Sequence, residues 1–365
     1  MKLLYVCSVY FKDSPTGAGT QVRETKKSLE RLGVSVLQIF VKLYPLSFED
    51  NEGKALNLAD VRRLASENDV AHIIHCSRDM MAAWRKVGAK IPVVGSTIFW
   101  GGLERVGVAW QTYPLGISRF KTMFHFFRSM MPLYQDFRGV SVFLPNSCAE
   151  ADCVRRCFRH DSDALFVPVP NGFVPPSFDV RSLPKSDKVP FEDYIVVPGI
   201  FANRKNQLGL IKALRNTNYK VVFLGGFNLV GSKPDRYYQE CSRLANENML
   251  FLGYISSSSR EYWQILAHAT CACLSSDCET PGIAMIEAAY AGARPVITKF
   301  GGTQEYYGFD GEYFDPRSEK EIANAINRGW LRGRLSVDEA SEYCRFSWDY
   351  CARVTKTAYE MAVSR

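Results

Sequence analysis

Residues 275–292 read SSDCETPGIAMIEAAYAG, with one carboxylate just before a short apolar run and a second inside it. Thr280 is a favourable N-cap residue, proline suits the first helical position, and Gly292 suits a C-terminal stop. These residue types predict a helix from about Pro281 to Ala291. The stretch is therefore expected to place one acidic side chain at the mouth of a helix and another within it.

The two acidic residues, Glu279 and Glu287, flank a position suited to an anion. A helix N-terminus exposes unpaired N–H groups and partial positive charge, and Gly282 lets a ligand approach the backbone closely. Eight residues at 1.5 Å rise place the carboxylates at most about 12 Å apart, comparable with a sugar nucleotide across its diphosphate. We expect Glu279 to accept from sugar hydroxyls and Glu287 from ribose hydroxyls. The alternative is a capped amphipathic helix with Glu287 in solvent or in a salt bridge.

The composition is that of an ordinary soluble globular protein. The 365 residues exceed the size at which single cores stop growing, which predicts two domains. The net charge of +7 indicates an anionic substrate or surface. The 11 cysteines, scattered through apolar runs, indicate free thiols in a reducing, cytoplasmic compartment. No run approaches the roughly 20 apolar residues of a membrane span, so the protein is expected to be soluble or peripheral.

Apolar β-rich runs alternate with helical patterns in two blocks, separated by the proline-rich segment 174–190. This predicts an α/β fold of two doubly wound, Rossmann-like domains facing a central cleft, at 1–180 and 190–348. The expected strands are 3–11, 34–41, one ending near His75, 92–96, 140–145, 165–169, 194–198, 220–224, 249–252, 270–274 and 294–298. The expected helices include 21–32, 206–214 and 235–246.

Two cations begin the first helix of the second block, in Asn203–Gln207. Lys205 and Arg204 are suited to neutralise a diphosphate as it leaves, because catalysis of that departure is largely electrostatic. The alternative is a pair of solvated charges, which is less favourable because cations at a helix N-terminus oppose its dipole.

In the first block, the loop 14–20 carries Gly17 and Gly19 and opens a helix after the first strand. This loop is suited to hold the donor phosphate or to admit the acceptor. The alternative is a plain strand-to-helix turn. The spacing of its glycines disfavours NAD binding. His75 is either a contact to acceptor or donor or a satisfied structural histidine. With no metal-ligand motif, no P-loop and no Ser-His-Asp set, we expect no metal or cofactor.

A basic and aromatic segment, RFKTMFHFFRSMM, lies at 119–131. It is suited to an interfacial helix within 117–138 that meets a lipid-linked acceptor at a membrane surface. A core-facing helix or an acceptor loop is the alternative. Nucleic acid is not expected as a partner, because none of the recognition motifs is present.

The pair Glu279 and Glu287 resembles the paired-glutamate motif of family-four retaining glycosyltransferases, which have the two-domain GT-B fold. Other motifs resemble that family along nearly the whole chain: the loop through Gly17 and Gly19, Pro170–Gly172, Lys205–Gln207, Gly301–Glu305 and Phe346–Trp348. The resemblance implies that a last helix, about 349–365, packs back on the N-terminal, acceptor-binding domain.

The resemblance also implies a role for each matching position. Glu279 contacts the donor sugar, Glu287 the ribose and Lys205 the diphosphate. The backbone of Thr280, Pro281, Gly282 and Ile283 lies on the diphosphate side. Two positions depart from the family pattern, because its usual arginine falls on Ile200 and its histidine on Phe99. Arg204 is the substitute that we consider for the missing arginine.

The implied activity is retaining, metal-independent transfer of a hexose from a UDP-, GDP- or ADP-linked sugar to a glycan or glycolipid. Surface polysaccharide synthesis at the cytoplasmic side of the membrane is the expected setting. Two alternatives stay open. One is a sugar-nucleotide epimerase of the same fold, which needs no acceptor; the other is a noncatalytic protein that binds sugar nucleotides.

Overall fold

The computed structural model describes residues 1–12, 14, 17–98, 136–230 and 233–365. Within these ranges, residues 1–98, 136–172 and 346–365 form one compact unit (unit 1), and 173–345 form a second (unit 2). The chain leaves unit 1 between Gly172 and Phe173, ahead of the expected boundary at 180–190. The reason is local packing. A Cβ on Gly172 would lie 2.7 Å from the Trp348 backbone nitrogen in unit 1, whereas the Phe173 ring packs on Tyr290 of unit 2 at 5.0 Å.

Helices and strands alternate in both units, as the sequence patterns predict. The helices are α1 (Gly17–Arg31), α2 (Leu58–Ser66), α3 (Arg78–Val87), α4 (Cys148–Cys157), α5 (Gln207–Leu214), α6 (Arg236–Leu244), α7 (Arg260–His268), α8 (Ile283–Tyr290), α9 (Thr303–Tyr307), α10 (Glu319–Arg332), α11 (Val337–Ser341) and α12 (Trp348–Val363). The strands are β1 (Lys2–Ser8), β2 (Ser35–Leu43), β3 (Leu46–Asp50), β4 (Ala55–Leu56), β5 (Val70–Ile73), β6 (Val93–Ser96), β7 (Val142–Leu144), β8 (Leu165–Phe166), β9 (Ile195–Pro198), β10 (Val221–Leu224), β11 (Leu229–Val230), β12 (Lys233–Pro234), β13 (Met249–Gly253), β14 (Cys271–Leu274), β15 (Arg294–Thr298) and β16 (Glu312–Phe314).

Each unit is built on a largely parallel sheet. Among the described residues, the unit 1 sheet has the order β4-β3-β2-β1-β5-β6-β7-β8, and the unit 2 sheet has the order β13-β10-β9-β14-β15-β16. Within these two sheets every described pairing is parallel except at one edge of unit 1, where β3 pairs antiparallel with β2 and β4. In unit 2, β11 and β12 form a separate antiparallel pair. The predicted α/β class with two Rossmann-like units is confirmed. The antiparallel edge was not predicted, because β3 buries only one of its five side chains and carries no continuous apolar run.

The order of the unit 2 sheet determines where a ligand can bind. From β9 the chain continues to β10 on one side, whereas β14 pairs with β9 on the other. Ligands of open parallel sheets bind beyond the carboxyl ends of the strands, at such a reversal of direction. The loops that follow β9 and β14 carry Lys205 and Glu279, so the fold brings the two predicted site segments to the same edge.

Helix α12 is held in unit 1 by two buried hydrogen bonds that share one histidine. The Tyr359 hydroxyl is hydrogen-bonded to His72 Nδ1 at 2.6 Å, and His72 Nε2 to Ser96 Oγ at 2.7 Å. His72 is buried, and burial lowers its pKa to about 3, so the ring is neutral at physiological pH. The two bonds tie the C-terminal helix to β5 and β6.

Replacing Tyr359 by Phe is expected to destabilise unit 1 by about 1–3 kcal/mol, because it leaves His72 Nδ1 buried without a partner. Urea unfolding of the full chain measures the loss. Tyr350→Phe, at a half-exposed position of α12, is the matched control and should change stability by less than about 0.5 kcal/mol. Equal stability of the two variants would contradict the role assigned to the buried hydrogen bonds of His72.

Candidate active site

The loops after β9 and β14 are hydrogen-bonded to each other. Ser275 Oγ donates to the carbonyl oxygens of Lys205 and Asn206, each at 3.0 Å. The Asp277 backbone N–H donates to the Arg204 carbonyl at 2.9 Å. These bonds fix the turn that carries the two cations against the segment that carries Glu279.

The two cations were expected in the first turn of a helix, but they lie just before it. Asn203–Lys205 form a 3₁₀ turn, and α5 begins only at Gln207, because Asn206 adopts a left-handed conformation with φ +49°. Both cations still lie within about one turn of the α5 N-terminus, where the helix dipole does not favour them. Their position is set by the bonds to the β14 loop instead.

Glu279 is 8% exposed and forms an ion pair with Lys205. Ser276 Oγ donates to the same carboxylate oxygen, Oε1, at 2.6 Å. Burial opposes ionisation of this carboxyl. The Lys205 charge, the hydrogen bonds from Lys205 and Ser276, and the charge of Arg204 outweigh burial and lower the pKa of Glu279. Glu279 is therefore an ionised carboxylate at neutral pH.

The backbone of Glu279 is held by the loop after β15. Its N–H donates to the Phe300 carbonyl at 3.1 Å, and its carbonyl accepts from Gly302 N–H at 3.1 Å. Between these two partners lies Gly301, with φ +106°, where a Cβ would come 1.9 Å from the Glu279 carbonyl oxygen. Only glycine fits this position, because any side chain would separate the two backbones.

Helix α8 begins two residues later than predicted. Gly282 is its N-cap, with φ +78°, and Ile283 is its first residue, so the prediction of Thr280 as N-cap and Pro281 as first helical residue is wrong. The preceding turn is held by the Tyr307 hydroxyl, which donates to the Pro281 carbonyl at 3.0 Å. No side chain caps the helix. The first-turn N–H groups therefore keep the capacity to bind an anion.

Glu287 lies in the second turn of α8 and is 9% exposed. The Tyr262 hydroxyl donates to its Oε2 at 2.5 Å. Burial raises the pKa of Glu287 to about 7, and the bond from Tyr262 lowers it only in part. The alternative in which Glu287 lies in solvent is therefore wrong, and no cation of the described residues forms a salt bridge with it.

The predicted residues of unit 1 lie at the carboxyl edge of its own sheet. Gly17 begins α1, and a Cβ on Gly19 would come 2.2 Å from the Ser14 carbonyl oxygen. His75 lies two residues beyond β5, with φ +52°, and its ring packs on Phe11 at 4.3 Å. Its Nε2 is buried and has no hydrogen-bond partner in the part of the chain that the structure describes, and burial lowers the pKa of His75 to about 4. The satisfied structural histidine of this region is therefore His72.

Two further buried atoms near this edge have no hydrogen-bond partner among the described residues, Gln21 Oε1 and Thr97 Oγ1. Both residues contact Asn146. Gln21 Nε2 donates to Asn146 Oδ1 at 3.0 Å, and Asn146 Nδ2 donates to the Thr97 carbonyl at 3.5 Å. With His75 they provide unused hydrogen-bonding atoms, which a hydroxylated ligand or water can satisfy.

The structure thus brings together Arg204, Lys205, residues 279–283 and Glu287 in unit 2, and Gly17, Gly19 and His75 separately in unit 1. Sequence reasoning missed four polar groups at these sites: Ser276, Tyr262, Gln21 and Thr97. Only Ser276 had a local signal, because it lies three residues before Glu279. Phe99 and residues 117–135 lie outside the described part of the chain.

In the described ranges, no group of three or more His, Cys, Asp or Glu side chains is placed to hold a metal ion. No helix in those ranges is long and apolar enough to cross a membrane. The ten cysteines with described side chains are all free thiols.

The site-bearing unit matches a known family. Residues 181–343 match the family model of glycosyl transferases, group 1. This match bears out the resemblance to glycosyltransferases for residues 181–343. No curated protein sequence matches the chain.

Several solved structures share the fold of this chain over its full length. The sucrose-phosphate synthase of Thermosynechococcus elongatus superposes with a TM-score of 0.69 and 17% identity, covering 99% of each chain. Anabaena HepE in complex with UDP-glucose gives 0.63 and 17%, covering 100% of each chain. The lipopolysaccharide outer core galactosyltransferase WaaB gives 0.63 and 14%, covering 99% of each chain. The predicted GT-B fold is confirmed.

Replacing Lys205 by Met is expected to destabilise unit 2 by about 3 kcal/mol at pH 8, because it leaves the Glu279 carboxylate buried without its cation. The native pKa of Glu279 is lowered, so its stabilising contribution is present above the unfolded pKa and is lost as the pH falls through the folded pKa. Without Lys205, burial dominates and raises that pKa. The difference in free energy of unfolding between variant and wild type, measured in urea, should therefore increase from pH 4 to pH 8.

Lys205→Arg is the control for this substitution, because it keeps the positive charge. It should recover most of the stability at pH 8. A gap that stays constant with pH would show that Lys205 contributes packing rather than charge.

Proposed function

We propose that this protein is a retaining glycosyltransferase that moves a hexosyl group from a nucleotide diphosphate sugar to a glycan or lipid-linked acceptor. The observation that carries the proposal is the Glu279 carboxylate, held ionised by Lys205 and Ser276 beside the uncapped N-terminus of α8. A buried anion beside a cation and free N–H groups is suited to bind a ligand with both hydroxyls and negative charge.

The donor is assigned to unit 2. Its diphosphate binds the first-turn N–H groups of α8, in the turn around Gly282 and Ile283, with the charges of Lys205 and Arg204. Its ribose hydroxyls donate to Glu287. The complex of the structural relative HepE with UDP-glucose supports a nucleotide-sugar donor of this class. UDP-, GDP- and ADP-linked sugars are all compatible with these contacts.

The chemical step needs charge stabilisation rather than a protein nucleophile. As the bond between the anomeric carbon and the phosphate oxygen breaks, negative charge grows on the diphosphate, where Lys205, Arg204 and the helix N-terminus stabilise it. The acceptor hydroxyl forms its bond to the anomeric carbon on the same face, and its proton passes to the leaving phosphate oxygen. Donor sugar hydroxyls take over hydrogen bonds on Glu279 that Lys205 makes in the free protein, which releases Lys205 toward the diphosphate. The step is proposed to need no metal.

The acceptor is assigned to unit 1. Gln21, His75 and Thr97 each have a buried polar atom with no partner among the described residues, and these atoms are suited to bind hydroxyl groups, which supports a carbohydrate-containing acceptor. The structural likeness to WaaB, a lipopolysaccharide outer core galactosyltransferase, supports a role in surface glycan synthesis, which we assign to the cytoplasmic side of the membrane. Contact with a membrane surface through 117–138 is part of this proposal.

Glu279→Gln is expected to reduce sugar transfer by at least about 100-fold, because the neutral amide no longer binds the donor sugar as a charged acceptor. Release of nucleoside diphosphate from each of UDP-, GDP- and ADP-glucose, with a glycan acceptor pool, measures the rate. Glu240→Gln, at an exposed position of α6, is the control. Unchanged turnover in Glu279→Gln, with unaltered circular dichroism, would contradict the assignment.

A nucleotide diphosphate is expected to raise the melting temperature of the wild-type protein, because it binds the folded state only. A panel of UDP, GDP, ADP and CMP tests this, and Glu287→Gln should abolish most of the shift. Incubating the matching nucleotide sugar without acceptor separates the alternatives: slow hydrolysis supports a transferase, and formation of an epimer supports an epimerase. Absence of any thermal shift would contradict the proposal.

A further inference from the structure

One hydrogen bond reaches the Glu287 carboxylate from the described residues, and it comes from a different helix. Tyr262 of α7 donates to Oε2 at 2.5 Å, whereas Oε1 accepts from no described residue. Tyr262 is 5% exposed, so its hydroxyl is almost withdrawn from water. The two oxygens of this carboxylate therefore differ: Oε2 accepts a hydrogen bond from the protein, and Oε1 remains able to accept one from a ligand.

The hydroxyl of Tyr262 is held in place by the structure around it. Its backbone N–H donates to the N-cap side chain Ser259 Oγ at 3.2 Å, and its ring meets Trp263 edge-on at 5.7 Å. Trp263 Nε1 donates to the Ser257 carbonyl at 2.9 Å. The Tyr194 hydroxyl anchors the same helix by donating to the Ile265 carbonyl at 2.7 Å. Because α7 is fixed at several points, the hydroxyl has a defined direction.

We propose that Tyr262 is a positioning residue for nucleotide binding, whose hydroxyl fixes Oε2 of Glu287 and presents Oε1, in the ionised state, to the ribose. This inference rests on the proposed function, because it takes Glu287 as the ribose contact. The two adjacent ribose hydroxyls need hydrogen-bond acceptors. An ionised carboxylate can accept a hydrogen bond from each of them, whereas a protonated carboxyl would itself act as a donor. Nucleotide binding is therefore coupled to release of the Glu287 proton.

The surroundings of Glu287 explain why Tyr262 matters. Burial raises the pKa of Glu287 to about 7, and the bond from Tyr262 is what lowers it against burial. The titratable or charged groups on elements packed against α8 are Arg260, Glu261, Tyr262 and His268 on α7, Cys271 and Cys273 on β14, Arg294 on β15, Asp338 and Glu339 on α11, and Glu342, Tyr343, Cys344 and Arg345. Of the hydrogen-bonding groups among them, Tyr262 is the one that contacts the carboxylate.

The experiment measures the affinity of UDP, GDP and ADP, each separately, by calorimetry between pH 6 and pH 9. For the wild type, the dissociation constant should fall as Glu287 ionises, with a midpoint near neutral pH. In Tyr262→Phe the midpoint should move up by about one pH unit, because a hydrogen bond to the charged form is lost. Affinity at pH 7 should then be several-fold weaker, while the two proteins converge at pH 9.

Tyr194→Phe is the matched control, because it removes another buried hydroxyl bonded to α7 but not to Glu287. It should keep the wild-type midpoint, and Glu287→Gln should keep only the pH dependence of the nucleotide's own terminal phosphate, whose second pKa is about 6. An unchanged midpoint in Tyr262→Phe would overturn the inference.

A second measurement keeps the inference separate from the proposed function. In ¹³C-glutamate-labelled free protein, the carboxyl resonance that disappears in Glu287→Gln should titrate near pH 7, and at higher pH in Tyr262→Phe. Failure of that resonance to move in Tyr262→Phe overturns the role of Tyr262 whether or not a nucleotide binds. Failure of every nucleotide to bind the wild type, with the resonance behaving as expected, overturns the proposed function instead.

Discussion

The buried ion pair between Lys205 and Glu279 is the interaction on which the site depends. A carboxylate with so little exposure is unfavourable unless a cation and hydrogen-bond donors surround it. The cation comes from the loop after β9 and the carboxylate from the loop after β14, so the pair can form only where those strands are neighbours. Ser275 then holds these two loops together, and Gly301 lets the loop after β15 lie against the backbone of Glu279. The sheet order, the loop backbones and the charge pair are thus parts of one arrangement.

The alternation of apolar runs and helical patterns was sufficient to predict the two parallel sheets. Central strands such as β9 and β14 bury every side chain and read as short continuous apolar runs. Edge strand β3 escaped prediction because most of its side chains are only partly buried. The start of α8 was misplaced for a related reason. Thr280 and Pro281 have the preferences of a helix start, but contacts from Gly301 and Tyr307, distant in sequence, hold that segment outside the helix.

The candidate site was predictable only where its residues are close in sequence. Glu279 and Glu287 share one segment, and their spacing carries chemical meaning by itself. Tyr262 lies on another helix and approaches Glu287 only through tertiary packing, so no periodicity could have indicated it. The two histidines in and just after β5 show the same limit. His72 and His75 are three residues apart, yet one has both ring nitrogens bonded and the other has an unused buried nitrogen. Which of them has the structural role depends on Tyr359, nearly 300 residues further along the chain.

The bond between His72 and Tyr359 has a consequence for how the chain is made. Unit 1 is discontinuous in sequence, since its last helix follows the whole of unit 2. During synthesis, the N-terminal sheet leaves the ribosome with His72 still lacking its partner, while every segment of unit 2 emerges before α12 does. Domains usually fold as units as they emerge, in order from the N-terminus. Here the second unit can complete its core first, because the first unit lacks α12 until residues 346–365 have emerged.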